Sequence, residues 1–172
     1  AAIDAAAAND TVLVSNGVYA TGGRALYSGA TTNRVIIDKS ITVRSINGPT
    51  VTSIQGGVPL APDAVRCAYV GEHAVLSGFT LTGGSTKFAD AGGGAYCESS
   101  GVITNCTLTG NLAFNGGGAA GGTLYNSRLA SNFATNAGGA YGSTLYDCII
   151  ASNSAKIYGG GTYGGTLYDC TL

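Results

Sequence analysis

A repeat of 21 or 22 residues constrains this chain more than any other feature. Four segments fall into one frame: Ile103-Thr-Asn-Cys-Thr-Leu-Thr-Gly-Asn111, Leu124-Tyr-Asn-Ser-Arg-Leu-Ala-Ser-Asn132, Leu145-Tyr-Asp-Cys-Ile-Ile-Ala-Ser-Asn153 and Leu167-Tyr-Asp-Cys-Thr-Leu172. They begin at successive offsets of 21, 21 and 22 residues, the mark of a repeat architecture in which each unit buries its apolar face against its neighbours. A preceding copy, Leu76-Ser-Gly-Phe-Thr-Leu-Thr-Gly-Gly84, lies 27 residues ahead of Ile103, so earlier units carry about six extra residues, expected as loops.

Within each copy the apolar positions step by three and then by two, as at Leu145, Cys148 and Ile150. Neither a helix nor one uninterrupted strand has that spacing, whereas two short strands joined by a tight bend do. Asn105, Asn126, Asp147 and Asp169 occupy the bend, and these residue types tolerate left-handed backbone. Asn111, Asn132 and Asn153 mark the next corner, followed by Ala113, Ala134 and Ala155 and then by glycines at 116–118, 138–139 and 159–161. Three strands and three corners therefore fit one coil. Coils stacked about 4.8 Å apart would align Leu81, Leu108, Leu129, Ile150 and Leu172 as one buried column. Cys106, Ser127, Cys148 and Cys170 would form a second inward column, and Tyr125, Tyr146 and Tyr168 an outward ladder.

Composition narrows the function classes. Charged residues are 10% of the 172, the formal net charge is -1, and no run of either sign offers a surface for nucleic acid or anionic lipid. No stretch approaches the roughly 20 apolar residues of a membrane-spanning helix, so no membrane insertion is expected. The 29 glycines lie in small groups without collagen's three-residue period. Five cysteines form no CxxC pair and His73 is the only histidine, which removes zinc-finger arrangements. The chain opens at Ala1 with no charged leader, as expected of a processed or excised segment.

The earlier sequence carries β-rich clusters at Asp10-Thr-Val-Leu-Val14, Arg34-Val-Ile-Ile37, Ile41-Thr-Val-Arg44 and Val51-Thr-Ser-Ile54, separated by Asn-Gly and Gly-Gly turns. The alanine-rich opening, Ala1-Ala-Ile-Asp-Ala-Ala-Ala-Ala8, followed by Asn16-Gly-Val-Tyr19, resembles the amino-terminal cap and first coil of the pectin-lyase-like right-handed parallel β-helix superfamily. The Gly-Gly-Gly and Leu-Tyr-Asp-Cys repeats resemble those of bacterial surface proteins and autotransporter-like passengers. This resemblance, spanning nearly the whole chain, implies an all-β fold and an extracellular or cell-surface location. The expected architecture is one right-handed parallel β-helix of about seven coils over 1–172. Within it, 1–9 form a capping helix, 10–92 irregular longer coils with loops, and 93–172 regular coils, the last incomplete. An unfinished last coil would invite continuation of the same β-helix or end-to-end self-association.

Fold alone assigns no chemistry, because the superfamily includes polysaccharide lyases, glycoside hydrolases, phage tailspikes and noncatalytic adhesins. Its pectate lyases use calcium held by carboxylates together with an arginine or lysine base. The comparable cluster here is Asp63, Arg66, Glu72, Lys87 and Asp90, on or beside the long segments 55–66 and 82–90, which follow equivalent strands. Ordinary solvated charges on two insertions would look the same. Asp147 and Asp169, one coil apart, could share a cation or act as a carboxylate pair about 5 Å apart, although the bend alone explains both. Tyr125, Tyr146 and Tyr168 could stack against sugar rings or simply support strand pairing; Tyr96, Tyr141 and Tyr163 suggest a second strip, interrupted by Ala120. Glu72 and His73 come without a nucleophile motif, and the inward cysteines read as free thiols. The leading expectation is a noncatalytic scaffold, stalk or adhesin, glycan-binding or self-assembling and without a cofactor. The alternative is a fragment of a polysaccharide lyase or glycoside hydrolase, with calcium if a lyase.

Overall fold

The structure, a computed structural model, describes residues 2–57 and 63–172. It is a parallel β-helix whose coils contribute strands to four sheets of seven, six, six and three strands. The seven-stranded sheet runs through Thr11–Val14, Thr42–Ser45, Val75–Ser77, Val102–Thr104, Thr123–Tyr125, Thr144–Tyr146 and Thr166–Tyr168, one strand per coil.

Register follows the repeat. Leu76, Ile103, Leu124, Leu145 and Leu167 are successive partners in that sheet, and Ile54, Leu81, Leu108, Leu129 and Ile150 are successive partners in the next. All but Leu167 are buried, because a side chain pointing into the coil is closed above and below by its own equivalents. Leu172 follows Ile150 in register but is not buried as expected. It is 77% exposed, since the bridge from Ile149 to Thr171 is the last pairing before it and no coil lies beneath it among the described residues.

Regular coils carry four strands rather than the three that the spacing suggests: Val102–Thr104, Thr107–Thr109, Leu112–Asn115 and Ala119–Ala120. The unforeseen strand pairs with Phe133–Asn136 and, below that, Ser154–Tyr158. Its large residues, Leu112, Phe114 and Phe133, are not buried, while only the small Ala113 and Ala134 are. Apolar periodicity therefore does not mark it.

The corners are built from hydrogen bonds between coils. Asn105, Asn126, Asp147 and Asp169 have φ of 53°, 46°, 52° and 50°, the left-handed conformation their residue types tolerate. The N–H of Phe79 then donates to Cys106 Sγ at 3.4 Å, and that of Cys106 to Ser127 Oγ at 3.2 Å, each one coil below. The next corner is an internal asparagine ladder: Asn111 Nδ2 donates to Asn132 Oδ1, and Asn132 Nδ2 to Asn153 Oδ1, both at 2.9 Å. At the glycine corner backbones pack too closely for side chains. A Cβ on Gly117 would stand 2.4 Å from the Phe133 carbonyl oxygen.

The cap is shorter than the expected 1–9: the helix spans Ala2–Ala5, and Ala1 lies outside the described residues. Ile3 and Ala6 pack on the core. Lys39 Nζ donates to the carbonyls of Asp4 at 2.6 Å and Ala6 at 2.9 Å, satisfying acceptors that a helix end leaves open.

Candidate functional site

The upper loops 20–31 and 83–94 leave the helix at the same side, between the second sheet and the sheet containing Thr32–Ile37, Val65–Val70 and Ala95–Cys97, where the described ends of a middle loop, 56–57 and 63–64, also lie. Residues 58–62 of the middle loop lie outside the described residues. Where the outer two loops meet that last sheet, Arg66 sits with its side chain only 5% exposed. Its Nη1 donates to Asn33 Oδ1 at 2.7 Å, Nη2 to the Ala91 carbonyl at 2.8 Å, and Nε to the Gly92 carbonyl at 2.9 Å. Nη2 also pairs with Asp90 Oδ2 at 3.0 Å, and the guanidinium lies 5.5 Å from the Tyr96 ring centroid. Burial pulls the guanidinium pKa down, and the Asp90 carboxylate opposes that shift. Asp90 in turn accepts from Thr31 Oγ1 and from the Ala91 N–H. Arg66 and Asp90 thus fasten the loop ending at Gly92 to the coil above.

The other charged candidates are placed separately. Lys87 shares Thr31 with Asp90 through its backbone N–H, while its Nζ donates to the Gly29 carbonyl at 3.2 Å. It lines a neighbouring depression with Tyr27, Phe88 and Asp90. Glu72 lies past the far end of Val65–Val70, where it accepts from Ser99 Oγ at 3.1 Å, from the Ser100 N–H at 2.9 Å and from Ser100 Oγ. Those donors hold its carboxyl below the usual range. His73 contributes its backbone N–H to Ser100 Oγ at 2.9 Å. Asp63 is exposed on the turn before Val65. The structure therefore gathers Arg66, Asp90 and Lys87 and leaves Glu72 at another corner.

Side chains that the charge pattern did not flag complete the depression. It has a volume of about 200 Å³, and Tyr27, Tyr69, Tyr96 and Glu98 line it with Arg66 and Asp90. Tyr69 and Tyr96 stack with centroids 6.0 Å apart and planes 5° apart. Tyr69 Oη donates to Glu98 Oε1 at 2.7 Å, and burial together with that acceptor pushes the phenol pKa up, so Tyr69 remains a donor. A signal existed: Tyr69 and Tyr96 are 27 residues apart, the offset of the early coils.

Tyr125, Tyr146 and Tyr168 form the outward ladder, with centroid separations of 4.9 and 4.6 Å and interplanar angles of 10° and 7°. Such rings cover each other's faces, and a sugar ring stacks on a free face. Along the ladder only edges and hydroxyls are offered. Asp147 and Asp169 are exposed at their bends. Among the described residues no three His, Cys, Asp or Glu side chains converge as metal ligands. Calcium takes six to eight oxygens, several of them carboxylate, and neither these aspartates nor the Asp63, Glu72 and Asp90 set assembles such a shell.

No helix among the described residues is long and apolar enough to cross a membrane. No protein-family model, curated protein or solved structure matches the chain.

Proposed function

We propose that this chain is a noncatalytic β-helix segment of an extracellular or cell-surface protein, a scaffold, stalk or adhesin whose outer face makes its contacts, glycans among them. The supporting observation is the use to which the charged side chains are put. Arg66 and Asp90 bind Asn33, Thr31 and the Ala91 and Gly92 backbone, and Glu72 binds the serines one coil below. An arginine acting as a base must reach a substrate proton, whereas Arg66 is buried and held by carbonyl and carboxylate oxygens. These charges join coils.

A fragment of a polysaccharide lyase or glycoside hydrolase is the competing reading, favoured by one observation: Asp90 and Glu98 line the same depression. Incubation with acidic and neutral polysaccharides, with and without calcium, separates the two. The scaffold reading expects retention on a glycan with no new reducing ends and no unsaturated products. Turnover that disappears in Glu98→Gln would overturn it.

A further inference from the structure

We infer that the depression between Tyr27, Tyr69, Tyr96 and Glu98 is a binding site for a primary ammonium group. Such a site is compatible with a catalytic or a noncatalytic chain, and its charge favours a cation. Arg66 is neutralised by Asp90 at 3.0 Å and has its remaining donors on Asn33 and the Ala91 and Gly92 carbonyls. Glu98 has no such cation. Its Oε1 meets the neutral Tyr69 hydroxyl at 2.7 Å, and its Oε2 makes no hydrogen bond to a described residue. The lining therefore carries one uncompensated negative charge, and the Glu72 carboxylate adds to the negative field at Tyr69. Lys87 lines the adjoining depression and turns its Nζ to the Gly29 carbonyl, so among the residues lining this one an anionic ligand would meet no cation free to receive it, while a cation would meet the Glu98 carboxylate.

The walls suit the same ligand. Three tyrosines border the depression, with Tyr27 at the rim 73% exposed, and aromatic rings attract cations through their quadrupole. Tyr96 already holds one cation in this way, the Arg66 guanidinium. The volume of about 200 Å³ lies below the ~300 Å³ at which pockets for drug-sized molecules begin, so it receives the head of a ligand. The open carboxylate oxygen selects an ammonium bearing N–H donors over a quaternary one, which has none to offer.

Calorimetric titration of the whole chain with glucosamine, n-butylamine and N-acetylglucosamine tests this. Both amines are expected to bind at least about tenfold more tightly than the neutral N-acetyl sugar, and more weakly as salt rises. Glucosamine binding more tightly than butylamine would identify an amino sugar as the source of the ammonium, and the reverse a plain alkylamine. Glu98→Gln should remove the preference for amines, and Tyr27→Ala should weaken amine binding at least about threefold, with circular dichroism confirming that each variant is folded. If Glu98→Gln does not fold, Tyr27→Ala and the salt series carry the test, because Tyr27 is exposed. Equal binding of glucosamine and N-acetylglucosamine, amine binding unchanged by salt or by both variants, or no saturable amine binding overturns the inference.

Discussion

Asn132 Oδ1 receives two hydrogen bonds from Asn111 one coil above, from its side-chain amide at 2.9 Å and its backbone N–H at 3.1 Å. Asn132 Nδ2 donates to the Leu108 carbonyl at 2.8 Å and to Asn153 Oδ1 at 2.9 Å. The residue is buried, and water does not replace these partners. Asn132→Ala leaves several polar groups without partners, each worth about 1–3 kcal/mol when buried. Denaturant unfolding should show a loss of about 3 kcal/mol or more, and a loss below about 1 kcal/mol would mean that the ladder is ornamental.

The glycine corner contains one misfit. Gly92, Gly116, Ala137 and Gly159 form one column in successive coils, with φ of 69°, 61°, 57° and 50°. Left-handed backbone costs a residue with a Cβ roughly 1–2 kcal/mol, partly offset by the greater freedom glycine has in the unfolded chain. Ala137→Gly is therefore expected to stabilise by about 0.5–1 kcal/mol, read as a raised melting temperature. The reverse change, Gly116→Ala, would bring a Cβ within 2.0 Å of the Ala119 carbonyl oxygen and should destabilise.

Cys106 and Ser127 perform one task. Each takes an N–H from the coil above and each donates to the carbonyl two residues back, Cys106 to Thr104 at 3.3 Å and Ser127 to Tyr125 at 2.8 Å. Cys106→Ser should thus stay within about 1 kcal/mol of the parent. Cys106→Val, close in volume but without an acceptor, should lose about 1–3 kcal/mol by leaving the Phe79 N–H unmatched.

The buried thiols also set an alkaline limit. Burial pushes Cys67 and Cys97 up to about 12 and Cys106 up to about 11, from an ordinary value of 9.0. A folded-state pKa above the unfolded one means that the unfolded chain releases protons first. The contribution is complete below pH 9 and is lost as pH rises towards 11 and 12. Melting temperature should fall across that window, and Cys106→Ser should make the fall shallower. An unchanged slope in that variant would remove Cys106 from the account.

Tyr146 stacks on both Tyr125 and Tyr168, so Tyr146→Ala deletes two ring contacts at once. At about 0.2–1 kcal/mol per cross-strand pair, the expected loss is about 1 kcal/mol, while Tyr146→Phe keeps both contacts and should be nearly neutral. Equal effects of the two variants would place the stabilisation in the hydroxyl instead of the ring.

Where apolar spacing and turn chemistry carry the information, the sequence is a good guide. The column from Leu81 through Ile150 and the left-handed bends at Asn105 and Asp147 are found where the repeat puts them. Asn111 and Asn132 stand at the corner the repeat gives them, but their burial could not be read from polarity, because an asparagine stacked on its own kind satisfies itself. The strand Leu112–Asn115 was illegible because its large apolar residues face outward. At the depression, charge drew attention to Arg66 and Asp90. The stacked Tyr69 and Tyr96, and Glu98 at a strand end, become neighbours only through coil register.

The long loops 20–31 and 83–94 leave the helix on one side, where the regular coils place Leu112–Asn115 and where 56–57 and 63–64 also lie. The extra residue of the 22-residue coil falls there too, as a register shift between Ala134 and Asn136 against Ser154–Tyr158. The leucine columns keep their pairing around it, and a smaller insertion, 46–51 against the two residues 78–79 one coil below, sits at the first bend without moving Ser53 from Thr80. The perimeter thus behaves as a frame that stretches mainly along one edge: length added there alters what the surface displays without disturbing the interlocked interior. Grafted loops belong on that edge, and the depression beside Tyr27 is what this chain has already built from it.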